Sequence, residues 1–170
     1  MRLMILGAGG YGRTVADIAA QTGAYDEIRF LDDNSQAEDV LGKCAEFAVH
    51  ANENTIFYPA FGNNEGRVSW LKRMAENGCR VATIVHPTAY ISPTAEMAPG
   101  NVVLPHAVIN TGCKLKAGCI VNCGAIVDHG CILEEGVHVC LGAIVKAENR
   151  IPRCMKIEAG EVVSNRTYSV

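Results

Sequence analysis

Four polar side chains stand out in a stretch of sequence that is otherwise rich in aliphatic residues: Asn122, Asp128, His129 and His138. A histidine titrates near neutral pH, so His129 has the chemistry of a general base that removes a proton from a nucleophile. The alternative is a solvated surface histidine. Asp128 is either a partner that orients an imidazole or a solvated carboxylate. Adjacent strand residues point to opposite sides, which favours the solvated carboxylate.

A glycine-rich turn near the start of the chain offers a second kind of chemistry. Gly7-Ala8-Gly9-Gly10-Tyr11-Gly12 has the spacing G-x-G-x-x-G, and Asp32 follows twenty residues after Gly12. Glycines let a backbone approach a ligand, and the N–H groups at a helix N-terminus favour phosphate. A carboxylate at a strand end can accept hydrogen bonds from ribose. The pattern favours nucleotide binding over a merely tight turn.

The element that must carry the first set of residues is a repeat of six. Fourteen consecutive positions spaced by six are large and aliphatic, and the position four further on is usually small, for example Ala125 or Cys131. This period fits neither a single helix nor an alternating strand, and it is typical of a parallel β-helix with three hexads per coil. The aliphatic positions are Val85, Ile91, Met97, Val103, Ile109, Leu115, Val121, Val127, Leu133, Val139, Val145, Ile151, Ile157 and Val163.

The element that must carry the glycine turn is a small α/β unit in residues 1–84. We predict strands over 2–6, 27–31, 55–61 and 80–85 and helices over 13–22 and 64–77, with 36–54 as a loop or short strand. Strand–helix alternation indicates a parallel sheet. We therefore predict a Rossmann-like domain over 1–84 and a β-helix domain over 85–170. The first is too short for a full dinucleotide fold, so a single nucleotide or nucleotide sugar fits better.

Composition narrows the possible classes of function. A net charge of −3 and a pI of about 5.9 give no attraction to nucleic acid or to acidic lipid. No apolar run is long enough to span a bilayer, and no secretion signal precedes the first strand, so we expect a cytoplasmic protein without membrane insertion. Eight cysteines without a C-x-x-C pair suggest free thiols. A zinc site from Cys113, Cys119, Cys131 and His129 is conceivable, but its spacing is wrong, and we expect no metal.

The order of motifs resembles the bacterial hexapeptide-repeat acetyltransferases that modify nucleotide-activated 4-amino sugars and sialic acids. The resemblance covers residues 1 to about 145. It rests on the glycine turn and on Leu31-Asp32-Asp33-Asn34, Phe61-Gly62-Asn63-Asn64-Glu65-Gly66-Arg67, His86-Pro87-Thr88-Ala89, Val108-Ile109-Asn110, Val121-Asn122, Val127-Asp128-His129-Gly130-Cys131 and Val137-His138-Val139.

The resemblance implies a left-handed helix, a homotrimer with active sites between neighbouring coils, acetyl-CoA as donor and a UDP-linked 4-amino sugar or a related sugar as acceptor. His129 would be the general base, and His138 and Gly142 would lie beside acetyl-CoA. The remaining roles concern the acceptor. Gly10, Tyr11 and Gly12 would meet the pyrophosphate, Asp32 and Asp33 the nucleoside, Asn63 and Arg67 the adjoining wall, and Asn122 would help to hold the sugar.

Two features depart from the family pattern. Members usually carry an acidic residue directly after the histidine, where this chain has Gly130, and they carry further coils that hold the rest of CoA. After Val145 the hexads degrade, because residues such as Glu148 and Pro152 replace the expected small corner residues and turn glycines. By the 18-residue count we expect roughly four and a half coils, with a short C-terminal cap. Our leading hypothesis is a sugar acetyltransferase of cell-surface glycan synthesis. The alternative is a non-catalytic trimeric protein that binds nucleotide sugars or serves as a scaffold.

Overall fold

The computed structural model describes residues 1–169, which form a small parallel α/β unit followed by a left-handed β-helix. The α/β sheet has three parallel strands in the order β2-β1-β3. Its elements in chain order are β1 (Arg2–Leu6), α1 (Gly10–Gln21), β2 (Glu27–Leu31), a 3-10 helix (Cys44–His50), β3 (Thr55–Pro59) and α2 (Asn64–Glu76).

Several predicted boundaries in this unit were wrong. Helix α1 begins at Gly10 rather than at residue 13, because the second half of the glycine turn is already its first helical turn. The predicted strand over 80–85 does not form, since only Val81 bridges to Phe57, and Ile84–Val85 pairs with Val102–Val103 in the coil. Strand β3 ends at Pro59 rather than at residue 61. The division into domains at residue 84 stays a prediction.

The β-helix places its short strands on three faces. The docking face carries β4, β7, β10, β13 and β16, the apolar face β5, β8, β11, β14 and β17, and the charged face β6, β9, β12 and β15. The strands are β4 (Ile84–Val85), β5 (Tyr90–Ile91), β6 (Glu96–Met97), β7 (Val102–Val103), β8 (Val108–Ile109), β9 (Lys114–Leu115), β10 (Ile120–Val121), β11 (Ile126–Val127), β12 (Ile132–Leu133), β13 (His138–Val139), β14 (Ile144–Val145), β15 (Arg150–Ile151), β16 (Lys156–Ile157) and β17 (Val162–Val163).

The coil continues past Val145, although its corner residues depart from the hexad pattern there. Strands β15, β16 and β17 pair in parallel with β12, β13 and β14, and Ile151, Ile157 and Val163 continue the buried core. The corner positions that lack glycine still adopt positive φ, at 57° for Glu148 and 55° for Cys154. Continuous strand pairing and aliphatic burial therefore hold these corners in the left-handed region that glycine would favour.

Three corners join the faces, and each stacks one residue pair per coil. The helix corner, between the charged and docking faces, contains residues 99–100, 117–118, 135–136 and 153–154. The Asn122 corner, between the docking and apolar faces, contains 105–106, 123–124, 141–142 and 159–160. The His129 corner, between the apolar and charged faces, contains 111–112, 129–130, 147–148 and 165–166. Backbone hydrogen bonds connect successive pairs at every corner.

The α/β unit packs on the docking face through a shared apolar core. Tyr58 of β3 is buried in one cluster with Val102 and Ile120 of the coil. Helix α2 runs along the helix corner, where a Cβ on Gly118 would lie 2.5 Å from the Leu71 side chain and one on Gly136 would lie 2.5 Å from that of Val68. The glycines of this corner therefore allow the helix to lie directly against three successive coils.

We expect Gly118→Ala to destabilise the fold more than Gly112→Ala. Both glycines have positive φ, at 74° and 68°, but a Cβ at Gly112 meets nothing within 4 Å. The control thus carries only the backbone cost, about 1 kcal/mol, while Gly118→Ala adds an overpacking cost of about 1–3 kcal/mol against Leu71. Urea unfolding of both variants measures the difference. Equal midpoints would show that α2 does not press on this corner.

Candidate functional site

The glycine turn leaves an open surface at the N-terminus of α1. Gly9 is the N-cap and Gly10 the first helical residue, both are exposed, and a Cβ on either would meet nothing within 4 Å. Gly12 differs, because a Cβ there would lie 1.9 Å from the Gly7 carbonyl oxygen. Gly12 is thus required by the tight turn, while Gly9 and Gly10 leave backbone N–H groups accessible to an anion.

Two carboxylates at the end of β2 organise the neighbouring loops. Asp32 accepts hydrogen bonds from the backbone N–H groups of Ala8 at 2.7 Å and of Asn34 and Ser35 at 2.8 Å. The Ala8 N–H, followed by that of Asn34, lowers the pKa of this carboxyl group below its usual value. Asp33 is exposed and accepts from the Cys44 N–H at 3.0 Å. Asp32 therefore lies against the glycine turn, while Asp33 contacts the start of the 3-10 helix.

Asn63 and Arg67 have structural contacts that the sequence did not indicate. The Asn63 side chain caps α2 by accepting a hydrogen bond from the Gly66 N–H at 2.7 Å. Arg67 is 0% exposed, and its guanidinium donates to the carbonyl oxygens of Gly118 at 2.8 Å and Gly136 at 2.9 Å on the helix corner. It also donates to the Phe61 carbonyl and the Asn64 side chain. Arg67 therefore fastens α2 to the coil and is enclosed by protein.

A hydrogen-bonded tyrosine pair, with Tyr58 buried and Tyr11 partly buried, connects the glycine turn to the docking face. The hydroxyl oxygens of Tyr11 and Tyr58 lie 2.8 Å apart. Burial raises the pKa of both phenols, that of Tyr58 to about 12. The Tyr11 hydroxyl group is therefore engaged by Tyr58 and does not face a ligand. Tyr11 can contribute to ligand binding only through its position in the first turn of α1.

Asn122 and His138 meet at the edge of the docking face. The Asn122 side-chain nitrogen lies 3.3 Å from His138 Nε2, and Gly142 belongs to the same corner, where its N–H donates to the Cys123 carbonyl at 3.0 Å. Burial, with smaller contributions from the charges of Arg67 and Lys156, lowers the pKa of His138 to about 4. His138 is therefore neutral at physiological pH and can accept or donate a hydrogen bond.

His129 lies at a different corner of the same coil. Its side chain is exposed and its backbone N–H donates to the Asp128 carboxylate at 2.7 Å. The His129 corner joins the apolar and charged faces, so it is the corner opposite the docking face. Within one chain, the structure brings Asn122, His138 and Gly142 together near the α/β unit and leaves His129 apart from them.

The sequence did not indicate one charged pair beside His129. Glu148 and Arg166 occupy successive positions of the His129 corner and form an ion pair. Glu148 stands one coil after Gly130, and Arg166 stands two coils after it, at corner positions of the repeat. The eighteen-residue repeat was therefore the sequence signal that could have indicated them.

Within residues 1–169, no group of three or more His, Cys, Asp and Glu side chains is arranged to hold a metal ion. No helix in the same range is long and apolar enough to cross a membrane.

Comparison with known proteins gives one consistent family. Residues 2–74 match the PglD N-terminal domain. The structure resembles the acetyltransferase domain of PglB from Neisseria gonorrhoeae with a TM-score of 0.94 and 36% sequence identity, covering 97% of this chain and 83% of that one. The same domain in complex with acetyl coenzyme A matches with a TM-score of 0.93, 36% identity and coverage of 97% and 82%.

A more distant match concerns the fold alone. PerB from Caulobacter crescentus, in complex with CoA and GDP-perosamine, matches with a TM-score of 0.70 at 18% identity, covering 100% of this chain and 92% of that one. The shared α/β unit, the coil and the identity to the PglB domain all agree with the motifs of the sequence. The chain therefore belongs to the bacterial hexapeptide-repeat sugar acetyltransferase family and is an acyltransferase.

Proposed function

We propose that the chain transfers the acetyl group of acetyl-CoA to an amino group of a nucleotide-linked sugar in cell-surface glycan synthesis. The observation that carries the proposal is the match, at 36% identity over 97% of the chain, to an acetyltransferase domain whose structure contains acetyl coenzyme A. The open N-terminus of α1 supports a diphosphate-linked acceptor, because Gly9 and Gly10 expose N–H groups there. A UDP-linked 4-amino sugar is the acceptor that we would test.

Acetyl transfer to an amine requires one group that accepts a proton. The sugar nitrogen attacks the thioester carbonyl carbon, and His129 takes the proton that the nitrogen loses. The carbon–sulfur bond then breaks, and the departing CoA thiolate takes the proton back from the imidazolium, which gives the acetylated sugar and CoA. Neutral His138 would lie beside the thioester. Free thiols at all eight cysteines fit a reducing compartment, and we place the reaction in the cytoplasm.

The apolar face supports assembly into a homotrimer. Its outward side chains are Tyr90, Val108, Ile126, Ile144 and Val162, and three of them are large and exposed, at 54% for Tyr90, 37% for Ile126 and 50% for Val162. The α/β unit covers the docking face, and the charged face presents Glu96, Lys114 and Arg150. An apolar stripe of this length on a monomer is typical of an interaction surface.

Trimerisation would also complete the site. If three apolar faces surround a threefold axis, the His129 corner of one subunit meets the Asn122 corner of the next, because these corners are the two ends of the apolar face. His129 would then approach the Asn122, His138 and Gly142 of a neighbouring subunit. The separation of these residues within one chain is therefore what an intersubunit site requires.

We expect Ile126→Asp to dissociate the trimer and Ile132→Asp to leave it intact. Each isoleucine is the outward residue of a middle strand, Ile126 on the apolar face and Ile132 on the charged face. A carboxylate buried at an apolar interface without a partner costs several kcal/mol, whereas on the charged face it stays solvated. Light scattering after size exclusion gives the masses. A trimeric Ile126→Asp variant would place the interface elsewhere.

The activity itself is tested by titrating the protein with acetyl-CoA, with and without a UDP-4-amino sugar. Mass spectrometry should follow the product, because eight cysteines would react with a thiol dye. Saturable donor binding with formation of acetylated sugar supports the proposal. Sugar-nucleotide binding without any affinity for CoA would instead support the non-catalytic binding protein.

A further inference from the structure

The His129 corner contains two side chains in a backbone conformation that favours glycine. In this column Gly112 and Gly130 have φ of 68° and 67°, and Glu148 and Arg166 follow at 57° and 53°. Residues other than glycine rarely adopt this region, although Cys154 does so at the helix corner. What distinguishes Glu148 and Arg166 is their contacts.

Glu148 lies directly against the residues of the preceding coil. Its N–H donates to the His129 carbonyl at 3.0 Å, and a Cβ built on Gly130 would lie 3.4 Å from Glu148 Cγ. The Glu148 side chain therefore extends over Gly130, immediately after His129. The Arg166 guanidinium lowers the pKa of the Glu148 carboxyl group, and the His129 charge adds a smaller effect in the same direction.

The Glu148 carboxylate has one oxygen available. Arg166 donates to Oε2, and among residues 1–169 no hydrogen bond is formed to Oε1. A cavity of about 320 Å³ lined by Gly130, Glu148, Arg166 and Ser169 adjoins the histidine. The lack of a side chain at Gly130 leaves this space open next to His129.

We propose that Glu148 is a positioning residue for His129, and that its free carboxylate oxygen accepts a hydrogen bond from Nδ1–H. This inference rests on the proposed role of His129 as general base. A proton held at Nδ1 leaves Nε2 unprotonated and directed outward, which is the atom that must receive the proton from the acceptor. Arg166 fixes the carboxylate for this purpose.

The contact can be tested without substrate by ¹⁵N NMR of protein labelled at histidine, with the His129 signals assigned by their loss in His129→Gln. In wild-type protein at pH 8 we expect the Nδ1–H tautomer at His129. In Glu148→Gly we expect a shift towards the Nε2–H tautomer, which predominates in free imidazole side chains, and Glu148→Asp should restore part of the wild-type signal. An Nε2–H tautomer in wild type, or no change in Glu148→Gly, would overturn the proposal.

Kinetics separate a positioning role from a structural one. We expect Glu148→Gly to lower kcat about 10- to 100-fold with little change in either KM, since a residue behind a reacting group typically has this effect. Its melting temperature should rise, because glycine relieves the positive φ. The matched control is Cys154→Gly on the helix corner, at φ 55°, which should also gain stability and keep its kcat. A Glu148→Gly variant with unchanged kcat would contradict a positioning role. If wild-type protein transfers no acetyl group, the proposed function fails while the NMR result still decides whether the contact exists.

Discussion

Replacing His129 by alanine is expected to lower kcat by two to four orders of magnitude, because the attacking amine loses the group that takes its proton. His129 is exposed and its backbone contacts do not depend on its side chain, so the fold should be unchanged. A variant that keeps more than a tenth of wild-type activity would assign proton transfer to another group.

A second inactive variant allows a test of whether one subunit or two neighbouring subunits form each site. Gly10→Asp places a carboxylate at the open N-terminus of α1, where a Cβ meets nothing and φ is ordinary. Charge repulsion from a bound diphosphate, about 4 kcal/mol per unit charge pair at 4 Å near a protein surface, should abolish acceptor binding. Gly10→Asn is the neutral control of the same shape and should retain most of the binding.

Co-expression of the two inactive variants distinguishes an intersubunit site from an intrachain one. If His129 comes from one subunit and the glycine turn from the next, every mixed trimer has one intact site of three, so the isolated mixed trimers should have about a third of wild-type activity. If both belong to one chain, every site carries a defect and no activity returns. Two affinity tags in sequence would isolate the mixed assemblies for the assay.

Replacing Arg67 by methionine is expected to cost about 3–5 kcal/mol of unfolding free energy. The side chain is 0% exposed, and the carbonyl oxygens of Gly118, Gly136 and Phe61 would lose their donor. Burial of a guanidinium without a carboxylate is itself unfavourable, so a methionine of similar volume recovers some desolvation energy. It cannot donate to the three carbonyls, however, and their loss should dominate.

For a chain of this size the change corresponds to a fall in melting temperature of about 10 °C. Arg67→Lys should be intermediate, because one ammonium group cannot reach all the acceptors. Lys72→Met, on the exposed side of the same helix, should change stability by less than about 0.5 kcal/mol. A melting temperature for Arg67→Met within 2 °C of wild type would show that the hydrogen bonds of Arg67 contribute little to stability.

The coil was predictable from the sequence because each hexad repeats the same burial requirement. Val127 and Val139 are buried for the same reason as every other member of the series, and their neighbours supply no conflicting signal. The corner conformations at the end of the coil were not predictable in this way. Glu148 and Cys154 lack the residue type that a left-handed corner favours, yet strand pairing on both sides holds them there.

The site was only partly predictable, because its geometry depends on contacts between distant parts of the chain. The carbonyl partners of Arg67 lie 51 and 69 residues further along, so its burial leaves no local pattern. Asn122 and His138 are different, since their spacing of sixteen within an eighteen-residue coil places Asn122, directly after β10, beside His138 of the neighbouring strand β13. The roles of the individual site residues stay predictions.

The register of the coil has a consequence for insertions and deletions. Ile120 pairs with His138 eighteen residues later, so adding eighteen residues leaves every following side chain on its original face. Adding six residues before His129 would keep each aliphatic residue inside but turn the remaining coils by a third of a revolution. His129 would move to the place of Glu135 at the helix corner, beneath α2. The function of the coil thus depends on its rotational register as well as on its length. A change of register would remove the site and leave the interior of the protein intact.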